Sequence, residues 1–329
     1  MSDPPRIVTV SLNPAIDQTV LVPNFTAGAV NRVERAQSDA GGKGVNVASF
    51  LAHFGVPVAV TGFLGDANIE SFGRLFAEKG ILDRFVRVPG LTRVNVKIVD
   101  EVQDRVTDIN FPGLQVDAEH LTALDDAIDA LADTAETFVL SGSVPAGIPN
   151  TVYAALVARL KGRGKSVVLD ASGPPFAAAI AAAPSVIKPN IEELQELVGG
   201  RLAGEAKVVE AARTLVAGGI DLVVVSMGPR GAVFVSNGAA ILAVPPKITV
   251  KSTVGAGDAM VAGIVTGTLR GLDLADMARL ATAFSLGALS EIGPRLPPPG
   301  VIEATMRDVR VQPIDSEEIG RVKWPRSSG

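Results

Sequence analysis

The 329-residue chain has no cysteine, so no disulfide can staple it and no thiolate can hold a zinc ion. Histidine is nearly absent as well. His53 and His120 lie far apart in helical stretches, the pattern of ordinary helix-surface residues rather than of a metal-binding pair or a base. Aromatic residues make up only 4%, so the core must be built mainly from Ala, Val, Leu and Ile. There is no run of Lys and Arg, and the formal net charge is -5, which excludes the basic footprint of a nucleic-acid binder. An anionic ligand must therefore be held by a local site. No apolar stretch is long enough to span a bilayer, and the first residues lack the apolar region of a secretory signal. A cytoplasmic protein with no membrane partner is expected.

What is present is a globular composition, 47% hydrophobic and 20% charged. Short β-rich runs at 7–12, 58–61, 137–140, 167–170 and 222–226 alternate with helical patterns at 45–54, 69–78, 118–131, 151–161, 191–198 and 206–217. Such alternation predicts a parallel sheet covered by helices on both faces. Two regions break it. Segments 16–22 with 30–35, and 92–99 with 105–110, read as strand pairs without a helix between them, the second pair joined by a hairpin loop over 100–104. Four such strands predict a small sheet beside the main body, a natural lid over a ligand crevice. The polar segment 315–329, which carries the single Trp, reads as a tail.

The strongest local signal is STVGAGDAMVAG at 252–263, where small residues open a helical pattern reaching about Leu269. A helix N-terminus leaves amide N–H groups unpaired, and these together with the helix dipole attract phosphate. Asp258 in that turn can accept the proton of an attacking hydroxyl while the amides of Gly255, Ala256 and Gly257 stabilise a moving phosphoryl group. The stretch is not a dinucleotide fingerprint, since Met260 stands at the third glycine position. Nor is Lys165 part of a phosphate loop, because Arg159 replaces the required glycine and Ser166 leads into a strand. A second glycine-rich turn, Gly41, Gly42, Lys43 and Gly44 followed by Asn46, can close over a sugar or be a plain strand-to-helix connection with an exposed Lys. Lys188, Pro189 and Asn190 lead into Glu193. That spacing fits a capping box, and it also fits oxygen ligands to a hydrated Mg²⁺ shared with Asp170. The turn from Ser226 through Gly228 to Gly231 can pass a nucleotide or simply join two strands.

In this order the segments resemble the ribokinase-like (PfkB) family of sugar kinases, over about 7–313. TVGAGD (253–258) resembles the family's C-terminal signature and GGKGVN (41–46) its N-terminal one. LNPAID (12–17), GFLG (62–65), TRVNVK (92–97), TDINF (107–111), SGSVP (141–145) and KPN (188–190) are similar to the branch acting on phosphosugars. The resemblance implies an α/β fold: three layers, αβα, with a mostly parallel central sheet and a small β-sheet lid. One domain would cover 1–313, with lid strands drawn from about 12–36 and 88–112, followed by a polar tail over 314–329.

It also implies ATP and Mg²⁺. Asp258 would be the base, with Gly255, Ala256 and Gly257 forming the anion hole. Asp17, Gly42 and Asn46 would hold sugar hydroxyls, Lys43 and Arg93 would face the phosphate already on the sugar, and Asn95 and Ser141 would complete the substrate site. Lys188, Asn190, Ser226, Gly228, Gly231, Val254, Gly255 and Gly257 would line the nucleotide, and Asn190 and Glu193 would organise Mg²⁺. The helix over 273–291 should flank the base. The acceptor implied is the C6 hydroxyl of fructose 1-phosphate, with tagatose 6-phosphate and fructose 6-phosphate as alternatives and a non-catalytic sugar-phosphate sensor as a distant one. The family's lid also implies a homodimer.

Overall fold

Alternate residues of the central strands are buried on opposite sides, so both faces of the sheet must be covered. Val58 and Val60 enter one apolar cluster, and Ala59 between them enters another. The computed structural model describes residues 5–314, and the expected tail over 315–329 lies outside the described residues. In chain order the elements begin with β1 (Ile7–Ser11), β2 (Ala15–Leu21), β3 (Arg35–Gly41), α1 (Lys43–His53), β4 (Val58–Gly65), α2 (Glu70–Lys79), β5 (Leu82–Asp83), β6 (Val86–Val88), β7 (Val94–Asp100) and β8 (Arg105–Ile109). Then come α3 (Ala118–Ala132), β9 (Thr137–Ser141), α4 (Val152–Gly162), β10 (Ser166–Asp170), α5 (Gly173–Ile180), β11 (Val186–Ile187), α6 (Ile191–Val198) and α7 (Glu205–Ala217). The last are β12 (Leu222–Ser226), β13 (Ala232–Ser236), β14 (Ala239–Val244), α8 (Ala256–Leu269), α9 (Leu274–Leu289), α10 (Pro299–Asp308) and β15 (Arg310–Pro313).

The main sheet has the order β15-β14-β13-β12-β11-β10-β9-β1-β4-β5, with β6 also paired to β4. Pairing is parallel from β5 to β12 and antiparallel from β12 to β15. Helices α1, α2, α8, α9 and α10 contribute to the apolar cluster on one face, and α3 to α7 to the cluster on the other. This is the three-layer arrangement expected. Among the described residues no helix is long and apolar enough to cross a membrane.

The register sets the location of the site. Ser11 pairs with Ser141, and Ser141 with Asp170, so the ends of β1, β9 and β10 lie in one row. Open α/β sheets bind ligands outside these carboxyl ends. Above the row sits the second sheet, β3-β2-β7-β8, with β2 and β7 parallel at its centre. It is tied to the body by the three residues between β1 and β2 and by Gly42 between β3 and α1.

One local expectation changes. The strand expected at 30–35 is instead β3, at Arg35–Gly41. Residues 24–31 are occupied by a loop closed through Asn31, whose amide bonds to Thr26 and Ala29, and by Asp100, which accepts from the Asn24 and Phe25 amides. Val30 and Val33 consequently stand exposed, at 88% and 54%. β3 itself reads RAQSDAG because most of it faces solvent, so it carries no apolar alternation. The turn at 226–232 does join antiparallel strands, β12 and β13, through a short 3₁₀ turn at Gly228–Arg230.

Candidate active site

The small residues before α8 are dictated by space. Gly255, its N-cap, adopts φ 77°, and a Cβ there would lie 3.2 Å from the Phe50 ring and 3.5 Å from Pro294. The first turn then places Ala256, Gly257 and Asp258 with amides that have no intrahelical partner. Asp258 is only 6% exposed, and its Oδ2 accepts from Asn46 Nδ2 at 2.8 Å. Burial, helped by the neighbouring Asp170 charge, pushes its pKa up to about 6 against the pull of Lys43, Asn46 and Lys188.

Beside it lies the most buried charge of the site. Asp170 is 1% exposed at the end of β10, with Lys43 Nζ at 3.1 Å and Lys188 Nζ at 3.4 Å from its Oδ1. Burial alone would favour the neutral acid, but the two ammonium groups outweigh it and hold the carboxyl below its ordinary pKa. Burial likewise opposes the Lys43 charge, and the carboxylates of Asp170, Asp258 and Glu193 override it and raise the Lys43 pKa. Asp170 Oδ2 is buried without a hydrogen-bond partner among the described residues. A Cβ on Gly257 would sit 3.3 Å from Lys188 Nζ, so glycine here leaves room for that ammonium at the start of α8.

Two cavities meet at this helix start. One, of about 610 Å³, is walled by Ser226, Gly228, Gly231, Ala256, Gly257 and Met260, by the segment from Pro245 to Val250, and by Thr282, Ser285, Leu286 and Leu289 of α9. Its lining is mostly apolar, with Ser226, Thr253, Thr282 and Ser285 among the polar residues, and Thr282 Oγ1 is buried and unpartnered among the described residues. A mostly apolar slot with a few polar side chains and free helix amides at its inner end fits a nucleotide, base in the slot and phosphates at α8. At Gly231 a Cβ would fall 1.9 Å from the Ala243 carbonyl oxygen, which fixes glycine in that wall.

The other cavity, of about 290 Å³, lies under the lid and is lined by Asp17, Thr19, Asp39, Asn95, Lys97, Asp108, Asn110 and Val254. Asn95 Nδ2 donates to Asp17 Oδ1 at 3.1 Å. Burial raises the Asp17 pKa, opposed by Asn95, Arg93 and Lys97. Lys97 is ion-paired with Asp108 across β7 and β8. The Arg93 guanidinium donates to the carbonyls of Asn13 at 2.9 Å, Pro14 at 3.3 Å and Phe111 at 3.4 Å, which fixes it at the base of the lid. Gly42 has φ 105°, and a Cβ on it would meet Pro14 Cα at 2.8 Å, so the turn from β3 into α1 must be glycine.

The structure thus gathers Asp258, Asn46, Lys43, Lys188 and Gly255 to Gly257 in one place. Ser226, Gly228 and Gly231 lie in one cavity and Asp17, Asn95 and Val254 in the other. Ser141 is not brought to either: it is fully buried with Oγ unpartnered, while Ser143, exposed two residues on, accepts from Asn13 Nδ2 at 3.1 Å. Asn190 and Glu193 form a complete capping box on α6, and Asn190 bridges to Ser226. Among the described residues no three His, Asp or Glu side chains cluster as a metal cage. The side-chain oxygens of Asn190 and Glu193 have the oxygen chemistry that a hydrated Mg²⁺ takes. Asp39 escaped the sequence reading, while Lys97, Asp108 and Asn110 were read only within the motifs TRVNVK and TDINF and Thr282 only within the helix expected to flank the base, because packing rather than local pattern turns them toward a cavity.

A pfkB family carbohydrate kinase model matches residues 6–299. The chain belongs to that family. Among relatives of this pfkB-family kinase is a 1-phosphofructokinase from Rhodobacter capsulatus, 55% identical over 310 residues that cover 94% of this chain and 98% of the relative. The 1-phosphofructokinase of Escherichia coli strain K12 is 37% identical, covering 94% and 99%. The crystal structure of phosphofructokinase-2 from Escherichia coli in complex with substrates and products superposes with a TM-score of 0.86 at 29% identity, covering 92% of this chain and 98% of that one.

The buried charge cluster of this family member generates a stability prediction. Asp170→Ala strands the buried Lys188 ammonium, and breaking such a pair costs about 3–5 kcal/mol. The urea midpoint should fall accordingly. A midpoint equal to wild type would show that the cluster does not hold the carboxyl ends of these strands together.

Proposed function

We propose that this kinase transfers the γ-phosphoryl group of ATP to the C6 hydroxyl of fructose 1-phosphate, giving fructose 1,6-bisphosphate and ADP, with Asp258 as general base. The observation that carries the reading is a buried carboxylate in the first turn of α8, next to Ala256 and Gly257, which wall the apolar nucleotide-shaped cavity, and four residues from Val254, which lines the polar cavity under the lid. The names of the relatives support the choice of acceptor.

Asp17, Gly42 and Asn95 orient the sugar under the lid. Arg93 and Lys43 hold its phosphate, with Ser143 a better placed hydroxyl than Ser141. Asp258 takes the proton as the C6 oxygen forms its bond to phosphorus and the bond to the β-phosphate oxygen breaks. The amides of Gly255, Ala256 and Gly257 and the α8 dipole stabilise the negative charge on the moving group. Lys188 neutralises phosphate charge from the Gly257 side, and Lys43 stays positive throughout. Mg²⁺ would supply positive charge to offset that of the phosphates. Asp170 Oδ2 and the Asn190 and Glu193 oxygens offer acceptors to its water shell. Asn46 acts first on Asp258, orienting the carboxylate toward the hydroxyl, and through its carbonyl on the sugar.

A base with a pKa near 6 works only when ionised. The kcat/KM for the sugar phosphate should therefore rise with pH through about 6 and level above it. Asp258→Asn should lower kcat by about 10²–10⁴-fold and abolish that limb. A limb that survives in the variant would assign the titration to another group. For the acceptor, kcat/KM should be higher with fructose 1-phosphate than with fructose 6-phosphate or tagatose 6-phosphate. Arg93→Ala should raise KM for the sugar phosphate far more than KM for ATP. Preference for a 6-phosphate would overturn the acceptor assignment, and equal effects on both KM values would remove Arg93 from the sugar site.

A further inference from the structure

A third cavity, of about 470 Å³, lies between α1 and α2 and is closed by β3 and by residues 294–296. None of the roles above uses it. Arg74, Lys79 and Arg295 line it, against the carboxylates of Asp39 and Glu78. Asp39 is already bound to Arg295 at 2.6 Å, so the cationic groups predominate. Lys79 Nζ donates to the Ser49 carbonyl at 3.3 Å. Burial, and then the nearby Arg295 charge, hold the Lys79 pKa below that of an ordinary amine, with Glu78 opposing. Two cations thus face one space and repel each other. Ser71 Oγ is buried in the same wall with no hydrogen-bond partner among the described residues.

We propose that this cavity binds a small metabolite bearing a phosphate monoester, the phosphate lying between Arg74, Lys79 and Arg295. Guanidinium groups suit phosphate oxygens through paired hydrogen bonds, and an anion here relieves the repulsion between Lys79 and Arg295. The volume is that of pockets holding small organic ligands, larger than inorganic phosphate needs. The site communicates with the acceptor cavity. Asp39 and Pro294 line both, and Asn46 lines the third cavity while donating to Asp258. A ligand that engages Arg295 competes with Asp39 for it and changes the charge facing the sugar, so occupancy alters KM for the acceptor.

Calorimetric titration of the full chain with glycerol 3-phosphate tests the binding directly, whatever the acceptor proves to be. Lys79→Met should weaken the monoester by about tenfold or more, while Lys43→Met in the catalytic cleft leaves that binding in place. Loss of all binding in Lys43→Met, with Lys79→Met unchanged, would place the ligand in the cleft and overturn the proposal. Arg74→Gln, at an exposed position of α2, should weaken binding in the same direction and covers the case in which Lys79→Met does not fold. Inorganic phosphate should bind more weakly than the monoester. Equal affinity would overturn the assignment to a metabolite.

Discussion

The structure turns on the carboxylate of Asp170, buried at the carboxyl end of the interior strand β10 with two ammonium groups at its Oδ1. Its two partners come from distant parts of the chain. Lys43 opens α1, and Lys188 follows β11. A buried ion is tolerable only when paired, so desolvation compels these segments to converge. The cluster also fixes the electrostatics of its neighbour. Asp170 repels the charge on Asp258, while Lys43 and Lys188 attract it, and burial raises the Asp258 pKa without removing the charge near neutrality. A carboxylic acid with a pKa of about 6 follows from that balance, as the proposed role of general base requires.

Helix α8 converts this balance into chemistry. Packed on both sides, it has little freedom to shift. Gly263 sits so close to α9 that a Cβ would fall 2.6 Å from Ala281 Cα. Its first turn therefore presents amides and carboxylate in a fixed relation, with the apolar cavity on one side and the lid cavity on the other. Phosphoryl transfer asks little more of a protein than positioning and preorganised charge, and both are built into this helix start. The lid contributes through β2 and β7, whose register places Asp17 opposite Asn95.

Much of this was legible in the residues. The α8 start, the glycine turn before α1 and the capping box at Asn190 are local designs, in which small residues and caps are forced by space or by unpaired backbone groups. The central strands showed as apolar runs because both of their faces are buried. What stayed hidden depends on tertiary context. β3 lies exposed at the lid's edge and reads as polar loop. The α9 residues that wall the nucleotide cavity are Thr, Ser and Leu in a bland helix, and only packing decides that Thr282 faces the slot. Ser141 and Ser143 share one motif, yet the first ends a strand inside the sheet and the second stands in solvent. The pairing of Lys43 with Asp170 spans 127 residues, beyond any pattern in a local window.

The central claim is that burial and the adjoining charges leave Asp258 as an acid of pKa about 6 while Asp170 stays ionised. Carboxyl ¹³C titration of the aspartate-labelled protein measures both groups in the absence of substrate, with each signal identified by its loss in the corresponding Asn variant. The account predicts a Asp258 midpoint near pH 6 and an Asp170 signal that remains ionised well below the ordinary aspartate range. A Asp258 midpoint near the ordinary value of about 3.9, or an Asp170 midpoint above that of Asp258, would contradict it.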